Sequence, residues 1–310
     1  MYSTFWYFVS IFSKKTLTMV VLSLNVLFIQ VLLCCLVKGG RMLNADKDLI
    51  EKITREVLEQ ITRGSSASAD IPKSVSPGAA LQRFSAGLSP ADLPKYIDHT
   101  LLKAEARPCD IEKLCAEARE YRFFSVCVNS SNVALCAKLL AGSGVKTGST
   151  VGFPLGAMLA GVKAHEAAAA IEAGAQEIDM VMNIGAMKAG NLKLAEEDMA
   201  AVRKACGSAV LLKVIFETCL LTTEEIVTAC KIAKDTGMDF VKTSTGFSTA
   251  GATEEHIALM RKTVGPVMGV KAAGGVRTFA DAVNMINAGA TRLGTSGGVG
   301  IIKGQTIKGY

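Results

Sequence analysis

Eight short apolar runs alternate with longer polar stretches between Leu93 and the C-terminus, and this alternation restricts the fold more than any other feature. Each run has the length and composition of a buried strand, and the stretches between them repeat apolar residues at helical spacing. Eight such units predict a closed (β/α)8 TIM barrel over residues 93–310. An open doubly wound sheet is the alternative, but no GxGxxG motif follows the first predicted strand. The predicted strands are Tyr96–Asp98, Phe124–Val128, Lys146–Val151, Glu177–Met182, Val210–Phe216, Phe240–Thr243, Gly269–Ala272 and Arg292–Gly294. The predicted helices are Asp110–Glu120, Asn132–Leu140, Gly161–Ala173, Leu192–Cys206, Glu224–Asp235, Thr253–Lys262 and Phe279–Asn287.

Length and composition agree with one α/β enzyme domain and an extension. The 310 residues are 50% hydrophobic and include 29 glycines, which suits buried parallel strands and their covering helices. The 34 Lys and Arg residues are dispersed along the chain, which argues against nucleic-acid binding. Nine cysteines without short paired spacings indicate reduced thiols, and three scattered histidines argue against a metal site. We therefore expect a cytoplasmic enzyme without a metal or a cofactor.

The first 41 residues differ in character from the rest of the chain. Residues 16–37 carry no charge and are long enough to cross a bilayer. Residues 1–41 could therefore contain a membrane segment, yet Met42 opens a stretch that is typical of a natural protein start. We favour a mis-assigned start for residues 1–41, because a membrane anchor is not expected on a soluble barrel enzyme.

Residues 42–63 form a second unit that predicts an amphipathic helix, and residues 64–92 predict a flexible linker rich in Ser, Pro and Gly. An isolated helix of this length is marginal in water, so its apolar stripe needs a partner. The combination resembles the encapsulation peptides that carry cargo enzymes into bacterial microcompartments. Packing of residues 44–63 against the barrel is the alternative, because both arrangements use an apolar stripe.

Two lysines lie on neighbouring predicted strands, Lys242 on the sixth and Lys271 on the seventh. A buried ammonium group must be paired, neutralised or used chemically. If the two groups converge, each disfavours the charge of the other, and a neutral amine can attack a carbonyl to form an imine. Alternatively, both lysines are structural ion-pair partners, with Asp179 or Glu217 as the counter-charge. Other polar residues expected at the strand ends are Asp98, Lys213 and Arg277.

Glycine-rich loops follow the seventh and eighth predicted strands, at Ala273–Arg277 and Leu293–Gly298. Glycines let backbone N–H groups approach an anion, and phosphate sites in these barrels are frequently formed by these two loops. Arg277 could add a charged donor. The two loops together predict a phosphorylated small-molecule substrate.

Seven motifs, in order, resemble the deoxyribose-phosphate aldolase family, and they cover most of the predicted barrel. They are IDHTLLK (97–103), SVCVNS (125–130), VGFPLG (151–156), EIDMVMNIGAMKAG (177–190), LLKVIFET (211–218), FVKTSTGF (240–247) and GVKAAGGVRT (269–278). The resemblance implies a metal-free, reversible condensation of acetaldehyde with glyceraldehyde 3-phosphate to 2-deoxyribose 5-phosphate. It does not extend to the residues before about 90.

The same resemblance implies roles for individual residues. Lys242 would form the Schiff base, Lys271 would lower the pKa of Lys242, and Asp179 would donate and accept protons. The implied phosphate-binding residues are Gly246, Gly274, Gly275, Arg277, Gly294 and Ser296, and the secondary pocket residues are Asp98, Cys127 and Lys213. Two other functions stay open: another class I aldolase acting on a phosphorylated sugar, and a non-catalytic phosphate-binding barrel. The sequence is also compatible with a homo-oligomer.

Overall fold

A computed structural model of the chain describes residues 88–307. The predicted leader (residues 1–41), the predicted amphipathic helix (42–63) and most of the predicted linker (64–92) lie outside the described residues, so they remain predictions. Within residues 88–307, no helix is long and apolar enough to cross a membrane. The seven cysteines of this region are free thiols.

Eight parallel strands form a closed barrel in which each strand pairs with the next and β8 pairs with β1. The predicted barrel is therefore confirmed, and the open sheet is excluded because its edge strands would not pair with each other. The strands are β1 (Ile97–Leu101), β2 (Ser125–Val128), β3 (Lys146–Val151), β4 (Glu177–Val181), β5 (Leu211–Ile215), β6 (Phe240–Lys242), β7 (Gly269–Ala273) and β8 (Arg292–Thr295).

All seven predicted helices are present, with ends that differ by a few residues from the prediction. Two further short helices lie in the described region. One follows β4, where Asn183 caps it by accepting a hydrogen bond from the Ala186 N–H, and the other follows β8. The helices are α1 (Pro108–Glu120), α2 (Val133–Leu140), α3 (Ala160–Glu172), α4 (Ile184–Lys188), α5 (Leu192–Cys206), α6 (Thr223–Asp235), α7 (Glu254–Val264), α8 (Phe279–Ala288) and α9 (Gly298–Ile302).

A 3-10 helix at Pro90–Tyr96 precedes the first strand and corrects the predicted linker boundary. Ser89 and Asp92 form a capping box at its start, and Pro90 occupies the first helical position. The side chain of Leu93 is fully buried in the barrel core. The linker prediction extended to residue 92, but local capping and this buried leucine fix the chain from Pro90 onward.

The two faces of the strands have different chemistry. Many outward-facing side chains are apolar and pack against the surrounding helices, as in Val126, Ile178, Met180, Val214 and Val270, all fully buried. Inward-facing positions alternate with them and carry polar and charged groups. Strand register therefore places Asp179 beside Lys213, and Lys242 beside Lys271, inside the barrel.

A buried ion pair holds the carboxyl end of β4 against two helices. Lys163 of α3 donates to Asp198 of α5 at 2.7 Å and to the backbone oxygen of Val181 at 2.9 Å. Asp198 also accepts a hydrogen bond from the Asn183 N–H at 2.9 Å. The strand that carries Asp179 is thus anchored from outside the barrel.

The amino-terminal end of the barrel is closed by stacked side chains. The guanidinium carbon of Arg292 lies 3.4 Å from the ring centroid of Phe124 and 5.4 Å from that of Phe240. Gly269 makes room for Phe240, because a Cβ at this position would lie 2.2 Å from the phenyl ring. These stacked side chains lie directly beneath the charged groups of the barrel interior.

We expect Gly269→Ala to destabilise the barrel by about 1–3 kcal/mol, because the added methyl group must displace the Phe240 ring from a close-packed layer. Urea unfolding monitored by circular dichroism measures the change. Gly161→Ala is the matched control, since a Cβ there meets no atom within 4 Å; its stability should be unchanged or slightly higher. Equal stability of the Gly269 variant and wild type would contradict the proposed packing.

Candidate active site

Asp179 lies at the centre of the barrel and contacts three lysines. Its Oδ2 atom accepts hydrogen bonds from Lys242 and from Lys271, each at 2.8 Å, and its Oδ1 atom accepts one from Lys213 at 2.8 Å. All four side chains are almost completely buried. The three predicted catalytic residues are thus brought together, and Asp179, not Glu217, is the counter-charge of the two candidate lysines.

A second set of charges lies beneath this group. Asp98 forms an ion pair with Lys271 at 2.5 Å and with Arg292 at 2.6 Å, and Glu177 pairs with Lys213 at 2.6 Å. Asp98 was expected at the carboxyl end of the first strand. Because β1 continues to pair until Leu101, Asp98 instead lies near its start, inside the barrel.

Arg292 and Glu177 were not among the sequence-based candidates. Arg292 contacts Asp98 and Glu177, and both Arg292 and Glu177 are the first residues of their strands. Their signal was present in the sequence: Glu177 precedes Asp179 by two positions, so both point to the same face of β4. Both residues begin a strand, yet they are almost completely buried in the closed barrel.

The pKa values of the two candidate lysines shift in opposite directions. Burial is the largest influence on Lys242 and lowers its pKa; Asp179 acts in the opposite direction, but the charge of Lys271 adds to the lowering. Burial also disfavours the charge of Lys271, but Asp179 and Asp98 together outweigh it, so the pKa of Lys271 is raised. Lys242 is therefore the amine that loses its proton more easily, a distinction that strand spacing could not make.

Charge balance leads to the same assignment. The ion-paired groups inside the barrel comprise three carboxylates and four basic groups: Asp98, Glu177 and Asp179 with Lys213, Lys242, Lys271 and Arg292. If all were ionised, one buried positive charge would lack a carboxylate, which is costly. A neutral Lys242 removes this excess, because it shares its only carboxylate oxygen with Lys271.

A cleft of about 230 Å³ opens above Lys242. The cleft is lined by Lys242 and by all six predicted phosphate-binding residues, namely Gly246, Gly274, Gly275, Arg277, Gly294 and Ser296. Asp179, Lys271, Lys213, Asp98 and Cys127 do not line it and lie buried in the barrel interior. A ligand in this cleft would thus reach the amine of Lys242 but not that of Lys271.

The glycine-rich loops form one wall of the cleft. Gly274 and Gly275 have φ values of 75° and 84°, a left-handed conformation that favours glycine. A Cβ at Gly251 would lie 2.3 Å from the carbonyl carbon of Gly274, so the loop after β6 rests directly on the loop after β7. The Ala252 N–H donates to the oxygens of Ala273 and Gly274 at 3.1 and 3.0 Å. The wall therefore presents backbone groups in a fixed arrangement.

Part of this wall was missed by the sequence analysis. The loop after β6 contributes Ser248, Thr249, Ala250 and Gly251 to the cleft. The run of small residues STAG was a usable signal, because small side chains allow a ligand to approach the backbone closely.

Gly294 has a role beyond the predicted phosphate contact. A Cβ at Gly294 would lie 3.0 Å from the Cε atom of Lys271 and 3.1 Å from the Cβ of Ala273. The absence of a side chain lets Lys271 extend beneath the cleft toward Asp179. Gly294 thus lies between the glycine-rich wall of the cleft and the buried charged groups of the barrel interior. We call these groups the charged layer: Asp98, Glu177, Asp179, Lys213, Lys242, Lys271 and Arg292.

Cys127 lies in the barrel interior beside the charged layer. Burial raises the pKa of its thiol, and the negative charge of Asp179 raises it further. The side chain is therefore held as a neutral thiol, which is a poor nucleophile.

A larger hollow of about 660 Å³ lies on the outer side of β1, between that strand and α1. It is lined by His99, whose Nε2 atom lies 2.7 Å from Glu117, and by exposed residues such as Lys103 and Arg107. It contains none of the clustered lysines. We therefore place the active site at the smaller cleft, which contains Lys242.

The closed barrel, with a buried lysine of lowered pKa at the base of a glycine-lined cleft, is typical of a lysine-dependent aldolase barrel. The chain belongs to the DeoC/LacD family of aldolases, whose family model matches residues 93–307. It is 60% identical to the deoxyribose-phosphate aldolase of Streptococcus gordonii over 217 residues, which is 70% of this chain and 98% of that protein. It is 59% identical to the deoxyribose-phosphate aldolase of Brevibacillus brevis over 218 residues, again 70% of this chain and 98% of the relative.

A solved structure agrees with this membership. The tetrameric deoxyribose-phosphate aldolase of Aeropyrum pernix is 33% identical and superposes with a TM-score of 0.67, covering 74% of this chain and 97% of the archaeal chain.

Removal of the Lys271 ammonium should raise the pKa of Lys242, because the Asp179 oxygen would no longer be shared and a repelling charge would be lost. In Lys271→Met, the pH at which acetaldehyde and borohydride modify Lys242 at half the maximal rate should therefore move upward. Lys193→Met, at an exposed position on α5, is the control and should leave this pH unchanged. An unchanged or lower midpoint in Lys271→Met would argue against the coupling.

Proposed function

We propose that the protein reversibly cleaves 2-deoxy-D-ribose 5-phosphate to D-glyceraldehyde 3-phosphate and acetaldehyde through a Schiff base on Lys242. The observation that carries the proposal is the position of Lys242, which joins the buried charged layer to a cleft with an anion-binding wall. The curated relatives of the family support the choice of substrate, since both named above are deoxyribose-phosphate aldolases and are matched over nearly their full length.

In the first step, the neutral Nζ of Lys242 attacks the C1 aldehyde of the open-chain sugar phosphate. The carbinolamine then loses its oxygen as water, which leaves an iminium ion. The lowered pKa of Lys242 supports this step, because only the unprotonated amine is nucleophilic. Lys271 is the cation that disfavours protonation of Lys242 and remains charged itself.

In the second step, the C2–C3 bond breaks as a base removes the proton of the C3 hydroxyl group. The electron pair of that bond moves toward the iminium nitrogen and yields an enamine, and C3 becomes the aldehyde of glyceraldehyde 3-phosphate. The enamine is then protonated at C2 and hydrolysed to acetaldehyde. Asp179 stays ionised, because Lys213, Lys242 and Lys271 offset its burial and hold its pKa well below the ordinary value. Since its side chain does not line the cleft, it accepts this proton through a water molecule held with Lys271.

Phosphate binding orients the sugar for both steps. The loops after β6, β7 and β8 form the anion-binding wall, and Arg277 stands at its exposed edge. Binding energy from the phosphate group would hold C1 against Lys242, and a substrate that lacks the group would lose this orientation.

We also propose a cytoplasmic homo-oligomer, and for residues 44–63 a role as an encapsulation peptide that binds a microcompartment shell. The archaeal relative described as tetrameric supports self-association. The apolar stripe of residues 44–63 and the Ser/Pro/Gly-rich segment after it support the shell interaction.

Borohydride trapping with acetaldehyde, followed by peptide mass mapping, tests the Schiff-base assignment. We expect one reduced adduct, on Lys242, because its amine is the one that lines the cleft and has the lowered pKa. Lys242→Ala should abolish both the adduct and deoxyribose-phosphate cleavage while circular dichroism stays as in wild type. An adduct on another lysine, or turnover by the Ala variant at more than a trace level, would overturn the assignment.

Fusion of residues 44–63 to a fluorescent protein tests the encapsulation proposal in cells that assemble shells. We expect fluorescence to coincide with the shells, because the apolar stripe would bind them. Ile53→Glu with Val57→Glu is the matched control, since it keeps the segment's length but interrupts the stripe. Diffuse fluorescence of the unchanged fusion would favour packing of the helix on the barrel.

A further inference from the structure

Glu217 is a buried carboxylate that the mechanism does not use. It lies directly after β5, between Phe216 and a 3-10 turn at Thr218–Leu220, and only 3% of its surface is exposed. Among residues 88–307, no lysine, arginine or histidine nitrogen lies within 4.0 Å of its carboxylate. Its backbone adopts a left-handed conformation with φ of 57°, which is uncommon for a residue with a side chain. A buried, unpaired and strained acid calls for a functional explanation.

Both carboxylate oxygens of Glu217 face Thr245, and one of them also accepts a long 4.0 Å contact from the Cys219 thiol. One accepts a hydrogen bond from the Thr245 N–H at 3.2 Å, and the other accepts one from the Thr245 hydroxyl. The same hydroxyl accepts a hydrogen bond from the Phe247 N–H at 3.1 Å. Because a carboxylate can only accept, it fixes the direction of the hydroxyl proton and leaves the hydroxyl lone pairs for Phe247.

These hydrogen bonds enclose Gly246, which lies between Thr245 and Phe247 and has a φ of 89°. Glycine at such a conformation is free to move in the absence of restraints. Glu217 restrains it from both sides, directly at Thr245 and through the Thr245 hydroxyl at Phe247. Thr245 and Gly246 both line the cleft above Lys242.

The turn that carries Glu217 is itself fixed to the strand of the reactive lysine. The Phe216 N–H donates to the Lys242 oxygen at 3.0 Å, and the Thr218 N–H donates to the Thr243 oxygen at 2.9 Å. The backbone on both sides of Glu217 therefore continues the pairing with the β6 strand beyond its end. Glu217 links this fixed backbone to the loop after β6, in which Gly246 would otherwise lack restraint.

We propose that Glu217 is a positioning residue for the phosphate group of the substrate, acting through Thr245 to hold Gly246 in its anion-binding conformation. Glu217 does not contact the reacting atoms. Its carboxylate is turned toward Thr245 and does not line the cleft, so its negative charge is directed away from the phosphate. The inference rests on the proposed aldolase function and adds a residue that controls discrimination between a phosphorylated and an unphosphorylated sugar.

The test compares 2-deoxyribose 5-phosphate with unphosphorylated 2-deoxyribose as substrates of wild type, Glu217→Gln and Glu217→Ala. In Glu217→Ala we expect KM for the phosphorylated sugar to rise roughly ten-fold or more, as when a charged hydrogen bond is lost, with kcat changed much less. The kcat/KM for 2-deoxyribose should stay near the wild-type value. The KM of Glu217→Gln for the phosphorylated sugar should lie between those of wild type and Glu217→Ala, because the glutamine amide oxygen still accepts from one donor of Thr245.

Substitution of the partner separates positioning from a general effect on folding. Thr245→Val removes the hydroxyl at nearly constant volume and should reproduce the rise in KM, whereas Thr245→Ser keeps the hydroxyl and should raise KM much less than Thr245→Val. The double variant Glu217→Gln, Thr245→Val should be no worse than Thr245→Val alone, because both changes break the same hydrogen bonds. The proposal would be overturned if the double variant showed the sum of the two single effects on KM. It would also be overturned if kcat/KM fell equally for both sugars.

Two further measurements distinguish failure of this inference from failure of the proposed function. Borohydride trapping of Lys242 by acetaldehyde involves no phosphate group, so the Glu217 variants should be trapped at the wild-type rate. If wild type is neither trapped nor active, the aldolase function fails. The Glu217 inference is then judged by calorimetric titration with inorganic phosphate, where equal affinity of wild type and Glu217→Ala would refute it.

Discussion

The protonation states of the site depend on one shared oxygen atom, the Oδ2 of Asp179, which accepts hydrogen bonds from both Lys242 and Lys271. A single carboxylate oxygen cannot fully compensate two ammonium groups in a buried site. Within residues 88–307, Lys271 has a second carboxylate partner, Asp98, whereas Lys242 pairs with Asp179 alone. The asymmetry of the partners therefore decides which lysine gives up its proton, and the remaining charged groups of the barrel maintain that asymmetry.

The same asymmetry separates the chemical roles by depth. Lys242 is the only member of the charged layer that lines the cleft, and the others lie in the barrel interior where a substrate does not reach them. In the proposed mechanism the buried groups set protonation states, and the loops at the carboxyl ends of the strands bind the ligand. Gly294 belongs to both levels, because its missing side chain accommodates Lys271 below and its backbone lines the cleft above.

Local patterns in the sequence were sufficient for the fold, because apolar runs located the strands. The cost of burying a lysine made Lys242 and Lys271 candidates but left a structural ion pair open, and the family motifs supplied their implied roles. Arg292 was not predicted, because its burial depends on closure of β8 onto β1, a long-range contact that no local window contains. The preference for Lys242 over Lys271 could not be derived from spacing either, since it follows from the distance between Asp98 and Lys271.

The charged layer is poorly explained as a source of stability. Buried ion pairs lose solvation that their mutual attraction does not fully return, and well-packed apolar side chains often serve a core better. The strands already bury apolar side chains on their outer faces against the helices. The barrel interior is thus free to hold groups chosen for reactivity, since the fold does not rely on them. Removal of a single partner is a different matter, because it would leave an uncompensated charge in the interior. The charged layer is therefore stable only when all of its charges have their partners. The apolar packing between the strands and the helices offsets the free energy lost in burying these charges.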